Sequence, residues 1–367
     1  MKRILHIVGT MDRAGAETMV MNLYRAIDKN KYQFDFVYFT NKVCAYDDEI
    51  KELGGVIYRI PEHSAVIRTY KLYQLLKKNR QFYAVHCHQL LANASHQLAA
   101  FLAGIPTRIS HAHSTQDIHN TNVIRSLYQK VSKAIISKLS TDFIACGVEA
   151  GNFLFPSKES ILYIPNAIDV SKFIESEKKK IKFFFDIGSI NDNTIIISQI
   201  GRFMPVKNHE FSINFAVYLK QNNIDFHMVF AGSGHLENDL KQLVIKRGLS
   251  NHITFLGVRE DIDLVLAHSK LLIMPSLYEG FPVILVESQA AGIPALISSG
   301  ISQEVDLGLD LVQFCDLKAS KEEWLKLMQD SLKKERVNAL ERQKIIKSKG
   351  FDIDVSVKLL EKLYSAN

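Results

Sequence analysis

Short apolar runs alternate with helix-length amphipathic segments twice over, and this constrains the chain more than any other feature. The first round runs through Ile4–Val8, a helix from about Glu17 to Ile27, Phe34–Phe39, a helix near Asp47–Leu53, and Val56–Arg59. It continues with a helix near Arg68–Lys78, Ala84–His88, a helix near Asn93–Ala103, Thr107–Ser110, a basic helix, and Asp142–Cys146. Brief apolar strands separated by helices predict a parallel sheet covered on both faces. A charged stretch with Glu175, Glu177 and Lys178–Lys180 marks a junction within Asp169–Asp192. The second round begins at Thr194–Ile200 and alternates helix His209–Gln221, strand Phe226–Phe230, helix Leu236–Arg247 and strand Ile253–Leu256. Helix Ile262–His268, strand Leu271–Met274, helix Pro282–Ala291 and strand Ala295–Ile297 follow, and Glu322–Asn367 reads as helical and charged. The fold class is therefore α/β, two doubly wound Rossmann-like domains facing across a cleft at the carboxyl ends of their sheets.

Length and composition agree with two ordinary globular domains: 367 residues, 47% hydrophobic and 23% charged. The opening Met1-Lys2-Arg3 resembles a signal peptide, but its apolar segment is short and Asp12, Arg13 and Glu17 follow at once. It reads better as a first buried strand. No run approaches the roughly 20 apolar residues that cross a bilayer. Cys44, Cys87, Cys146 and Cys315 are scattered without a CxxC pair, which points to a reducing compartment, the cytosol. The net charge of +6 lies entirely before residue 171, where 20 Lys+Arg face 14 Asp+Glu; the remainder has 25 of each. Its densest part, Asn122–Leu139, interleaves Arg125, Lys130, Lys133 and Lys138 with Ile124, Leu127, Tyr128, Val131, Ile135, Ile136 and Leu139 at helical spacing. Either the apolar stripe lies in the core under a solvated basic face, or the helix docks on anionic lipid at the inner face of a membrane. No nucleic-acid module accompanies it, so that partner is not expected.

Three loops at strand ends could carry chemistry. In Pro275-Ser276-Leu277-Tyr278-Glu279-Gly280-Phe281-Pro282-Val283-Ile284-Leu285-Val286-Glu287 a buried strand enters a turn and a helix starts near Pro282. Free amides at such a start suit a diphosphate, with Glu279 beside it and Glu287 two turns along. Gly201-Arg202-Phe203-Met204-Pro205-Val206-Lys207 places two cations on one loop, a fork and a point charge able to grip one anion. Gly9–Glu17 is the first strand-to-helix loop, where Gly15 permits close backbone approach to a phosphate. The GxGxxG fingerprint is absent there, and Gly232-Ser233-Gly234-His235-Leu236-Glu237 has Glu in place of the third glycine, which argues against a dinucleotide. His86, His88, His96, His111, His113 and His119 cluster in the first domain, and the pairs His86/His88 and His111/His113 each point to one sheet face. No Cys or carboxylate run accompanies them, so no metal is expected.

Taken in order, these motifs resemble a retaining glycosyltransferase of family 4 with the GT-B fold, over essentially the whole chain. The E-x7-E motif at Glu279–Glu287, the Gly201-Arg202 and Lys207 loop, the Gly232-Ser233-Gly234 turn and Ile164-Pro165-Asn166 carry the resemblance. Gly15-Ala16-Glu17 and Ser110-His111-Ala112-His113-Ser114 are similar to enzymes of bacterial capsule and exopolysaccharide assembly. The resemblance implies an acceptor-binding domain over residues 1–172, a nucleotide-sugar donor domain over 173–345, and a last helix, 346–367, that crosses back to the first domain. It implies that Arg202 and Lys207 hold the donor diphosphate, Glu279 the transferred sugar, and Glu287 the ribose. Gly280, Phe281, Pro282 and Val283 would offer the turn; Gly232, Val258 and Arg259 would line the nucleotide, and Gly15 would face the phosphates. His113 is the expected catalytic histidine of the cleft, with His111 its rival. The implied reaction moves a hexose with retention from a nucleotide sugar, a UDP-sugar by resemblance, to a lipid-linked (undecaprenyl diphosphate) or growing glycan, with no cofactor or metal. The alternatives are a sugar-nucleotide epimerase or phosphorylase of the same fold and a non-catalytic binding subunit of a synthase. Ala14 and Ala167 depart from the glycines usual in relatives.

Overall fold

Lys2–Gly9 forms the first strand because Ile4 through Ile7 are fully shielded from water, and an unbroken buried run suits a strand covered on both faces. The computed structural model describes all residues except 13–14, 115–121, 157, 159, 180–190, 192, 280 and 367. The chain divides into two compact units, Met1–Ala167 with Ile353–Asn367, and Ile168–Asp352. The first division lies before 172 because the helix Val170–Glu177 belongs to the second unit, and the second lies at 352 rather than 345 because the helix Ala339–Ser348 belongs to it as well.

In the first unit the order is β1 (Lys2–Gly9), α1 (Gly15–Ala26), β2 (Tyr32–Tyr38), α2 (Asp47–Glu52), β3 (Ile57–Arg59), α3 (Ala65–Lys78) and β4 (Phe82–Cys87). Then come α4 (Asn93–Ala103), β5 (Thr107–Ala112), α5 (Val123–Leu139), β6 (Asp142–Ala145), α6 (Val148–Leu154) and β7 (Leu162–Tyr163). Within the second unit lie α7 (Val170–Glu177), β8 (Ile195–Ile200), α8 (His209–Gln221), β9 (Phe226–Ala231), α9 (Glu237–Lys246), β10 (Ile253–Gly257) and α10 (Ile262–Ala267). It is completed by β11 (Leu271–Met274), α11 (Ile284–Ala290), β12 (Ala295–Ser298), β13 (Val312–Cys315), α12 (Lys321–Lys333) and α13 (Ala339–Ser348). The chain then returns to the first unit as α14 (Ile353–Ser365), whose Ile353, Val357, Leu360 and Tyr364 join the core under α1.

Both sheets are wholly parallel among the pairings described. The first has order β3-β2-β1-β4-β5-β6-β7 and the second β10-β9-β8-β11-β12-β13. Strand order therefore reverses beside β1/β4 in one unit and β8/β11 in the other, and the loops leaving those strands flank a natural ligand crevice. The short strands β7 and β13 are additions to the sequence reading. Each is a two- to four-residue sheet edge whose period-2 pattern is too brief to stand out.

The basic helix departs from its core-packed reading. Of α5, only Ser132 and Ile136 are buried, while Val123, Ile124, Leu127, Tyr128 and Val131 are exposed, Ile124 to 80%. Its apolar stripe faces outward for most of its length.

Candidate active site

In the second unit, the end of β8 and the end of β11 meet. Lys207 ends a one-turn 3-10 helix, Pro205–Lys207, and its Nζ lies 2.6 Å from Glu279 Oε1. The two loops are stitched together by Leu277 N donating to Val206 O (2.8 Å) and Asn208 Nδ2 donating to Pro275 O (3.0 Å). From below, Gln199 Nε2 donates to Lys207 O at 2.8 Å, so the loop carrying the lysine is held by its own strand. Arg202 is exposed and, among the described residues, makes no ion pair. Its guanidinium is thus available to an anion.

Glycines bring the neighbouring loop in. Gly232, with φ +147°, would put a Cβ 2.1 Å from Gly201 O, so no other residue fits where the loops after β8 and β9 touch. Gly232 N donates to Gly257 O (2.7 Å), which draws the end of β10 to the same edge. There Val258 is exposed and Arg259 is bound to Asp261 through Nε and Nη2 at 2.7 and 2.6 Å. Arg259 therefore arrives with its charge already neutralised.

Helix α11 begins later than the start near Pro282 that the sequence suggests. Leu285 N donates to Pro282 O (3.0 Å) and Glu287 N to Val283 O (3.0 Å), so Pro282 and Val283 form the entry and the regular helix starts at Ile284. Phe281 stacks on Phe351 with ring centroids 4.9 Å apart, which fixes the turn against the unit's core. Gly280 lies outside the described residues. Glu287 is half-buried; burial pushes its carboxyl up to about 7, Lys172 pulls it down, and Asp263 adds to the rise. Lys172 is itself shared with Asp263 at 2.8 Å. A carboxyl so placed changes charge near neutrality and can accept a hydroxyl hydrogen once ionised.

The first unit contributes a different chemistry. Gly15 opens α1, is exposed, and a Cβ there would meet nothing within 4 Å. The chain's own packing does not demand a glycine there. His113 follows β5 directly, half-buried, with Nε2 2.9 Å from His88 Nδ1; burial lowers its pKa to about 4. His111 is fully buried and contacts His86 instead (3.3 Å), so His113 is the more accessible of the two. His119 and Ala14 lie outside the described residues. Sequence reasoning missed His6 and Tyr364, which join these rings; a histidine in β1 level with His86 was the available signal.

The sequence family described as "Glycosyl transferases group 1" matches residues 180–347, which contain Arg202, Lys207, Glu279 and Glu287. The glycosyltransferase EpsF of Bacillus subtilis is 38% identical over 335 residues, covering 88% of this chain and 86% of EpsF. The chain is a group 1 glycosyltransferase. A UDP-Gal:alpha-D-GlcNAc-diphosphoundecaprenol alpha-1,3-galactosyltransferase of Escherichia coli is 30% identical over 71% of this glycosyltransferase and 66% of that enzyme. The capsular polysaccharide biosynthesis glycosyltransferase CapH of Staphylococcus aureus is 28% identical over 99% of both chains. Among solved structures, HepE of Anabaena in complex with UDP superposes with a TM-score of 0.77 at 16% identity, covering all of both chains. That likeness bears on fold alone, and it places this glycosyltransferase in the GT-B class that the family resemblance implied.

Proposed function

We propose that this glycosyltransferase is a retaining family 4 enzyme that moves a hexose from a UDP-sugar to a hydroxyl of a lipid-linked or growing glycan in exopolysaccharide or capsule assembly. The observation that carries the reading is the Lys207–Glu279 pair at 2.6 Å, set where strand order reverses, on the loop that also carries the exposed Arg202, which makes no ion pair among the described residues. As the bond from the sugar to the diphosphate lengthens, its electron pair passes to the leaving phosphate oxygen. Arg202 and Lys207 stabilise that charge as it grows, and their cations supply what a metal would otherwise provide. Glu279, held by Lys207, orients the sugar; the acceptor oxygen bonds to the anomeric carbon on the same face. The acceptor proton leaves to a phosphate oxygen of the departing nucleotide. Glu287 accepts from the ribose, and His113 is the first unit's candidate catalytic histidine. The E. coli UDP-Gal:alpha-D-GlcNAc-diphosphoundecaprenol galactosyltransferase and HepE in complex with UDP support a uridine nucleotide and a diphosphoundecaprenol-linked acceptor.

The first unit's surface supports an anionic membrane as the place of work. Helices α3, α4 and α5 lie side by side. They expose Val66, Tyr70, Leu98, Phe101, Ile124 and Leu127, with an apolar groove of about 520 Å³ between α3 and α4. Lys77, Lys78, Arg125, Lys130 and Lys133 belong to α3 and α5. Apolar side chains among cations suit lipid headgroups above an acyl boundary. No described helix is long and apolar enough to cross a membrane.

A thermal-shift screen across UDP-, GDP- and ADP-sugars tests the donor, since a ligand of the native state raises its midpoint. The proposal expects the UDP-sugars to give the largest shift, with transfer persisting in EDTA. A larger response to GDP- or ADP-sugars would replace the nucleotide, and loss of transfer in EDTA would overturn the metal-free mechanism.

A further inference from the structure

The turn between β11 and α11 is held from two sides. On its leading side, Leu277 N donates to Val206 O (2.8 Å), the Ser298 hydroxyl donates to Ser276 O, and Glu279 forms a parallel bridge with Ile301. A Cβ on Gly300 would stand 2.5 Å from Leu277 O, so the loop after β12 lies directly against this part. The trailing side has a different anchor. There the Phe281 ring lies on that of Phe351, with centroids 4.9 Å apart and planes within 3° of parallel. Parallel rings at that separation are offset, a favoured arrangement for an aromatic pair. Both are half-buried at the edge of the unit's core.

The stretch Ser348-Lys349-Gly350-Phe351 explains why the second ring stands where it does. Gly350 has φ +84° at the end of α13, where a left-handed residue turns the chain away from the helix and glycine is favoured. Gly350 N donates to Lys347 O and Phe351 N to Ile346 O, both at 3.1 Å, the bond pair of a Schellman cap. The Phe351 carbonyl is engaged as well: Ile168 N donates to it at 3.0 Å, and Ile168 forms a parallel bridge with Asp352. Ile168 and Asp352 are the first and last residues of the second unit. The chain's entry to that unit and its exit are therefore paired beside the residue that carries the ring. With its N–H and C=O both committed, the backbone of Phe351 presents the ring to Phe281 from a fixed base.

We propose that Phe351 is a positioning residue for donor binding, holding the Glu279–Glu287 turn from the capped end of α13 in the shape that receives the nucleotide sugar. The proposal rests on the reading of that turn as the donor site. Phe351 acts through Phe281 and touches no substrate. A turn that keeps its receptive shape for only a fraction of the time binds with an affinity reduced by that fraction. Once the donor is bound the turn is in place and turnover proceeds as before, so loss of the ring raises the donor KM and spares kcat. General damage to the fold has the opposite signature: fewer active molecules lower the apparent kcat and leave KM alone. A stacked pair is worth a few-fold in such an equilibrium beyond the area it buries.

Phe351→Leu keeps an apolar side chain and removes the flat ring, whereas Phe351→Tyr keeps the ring; urea unfolding read by Trp324 fluorescence shows whether each variant folds. If Phe351→Leu does not fold, Phe351→Met, flexible and closer in volume, takes its place. Amide hydrogen exchange of the full-length protein without ligand reports how often the turn opens. Residues 281–287 are expected to exchange about three- to tenfold faster in the leucine variant and at the parent rate in the tyrosine variant. The dissociation constant for UDP by calorimetry, and the KM for a UDP-sugar, should rise by the same factor while kcat stays within about twofold. Unchanged exchange in the turn, a fall in kcat at constant donor KM, or a tyrosine variant as impaired as the leucine variant would each overturn the proposal. Exchange is read without donor or turnover, so its failure leaves the transfer reading standing. Absence of UDP binding by the unsubstituted protein would remove the donor reading and this proposal with it.

Discussion

Glu287→Gln should change how the second unit's stability depends on pH. The Glu287 carboxyl rises from 4.5 to about 7, chiefly because burial disfavours its charged form. Between those values the native state holds a proton that the unfolded chain has released, so stability falls as pH rises and stops falling above about 7. Each pKa unit corresponds to about 1.4 kcal/mol, so moving from pH 5.5 to 8.5 should cost the unsubstituted protein about 2 kcal/mol through this group. The glutamine cannot ionise and should avoid that loss. Trp324 is the chain's one tryptophan, fully buried in the same unit with its indole N–H donating to Asp316 O at 3.0 Å. Its fluorescence in urea therefore follows this unit alone. Buried His209 and His227, lowered to about 3 and 4, titrate in both proteins and cancel in the comparison. The variant's stability relative to the parent should be about 2 kcal/mol greater at pH 8.5 than at pH 5.5. Parallel pH profiles for the two proteins would refute the reasoning.

Gly232→Ala should destabilise the second unit by more than about 2 kcal/mol in the same urea assay, because a Cβ would stand 2.1 Å from the Gly201 carbonyl oxygen. A midpoint shift worth less than about 0.5 kcal/mol would mean the two loops do not touch. Sedimentation with vesicles should carry the protein down with anionic lipid but not with neutral phosphatidylcholine, and added salt should weaken the association. Leu127→Asp on the exposed face of α5 should reduce it severalfold, whereas equal recovery with both lipids would show that this surface does something else.

Much of the site was legible because its parts are local. The strand, turn and helix around Glu279–Glu287 and the cationic loop after β8 each lie within a dozen residues, and their residue types announce anion binding. Their meeting was not legible from spacing. Lys207 reaches Glu279 because β8 and β11 are sheet neighbours, a long-range pairing that the strand pattern alone does not order. The same holds for His6 and Tyr364, which join His88 and His86 across 82 and 278 residues of sequence. Periodicity located the basic helix but could not tell an inward stripe from an outward one; that depends on α4, its neighbour in the fold.

Steady-state transfer from a UDP-sugar by Lys207→Ala tests the central claim most directly. The lysine is the cation nearest Glu279 and, in this account, a charge-assisted partner of the departing diphosphate, an interaction contributing about 1.5–3 kcal/mol. The account predicts a fall in kcat of about 10- to 150-fold, with Arg202→Ala and Glu279→Ala similarly impaired. Near-full turnover in Lys207→Ala would contradict it.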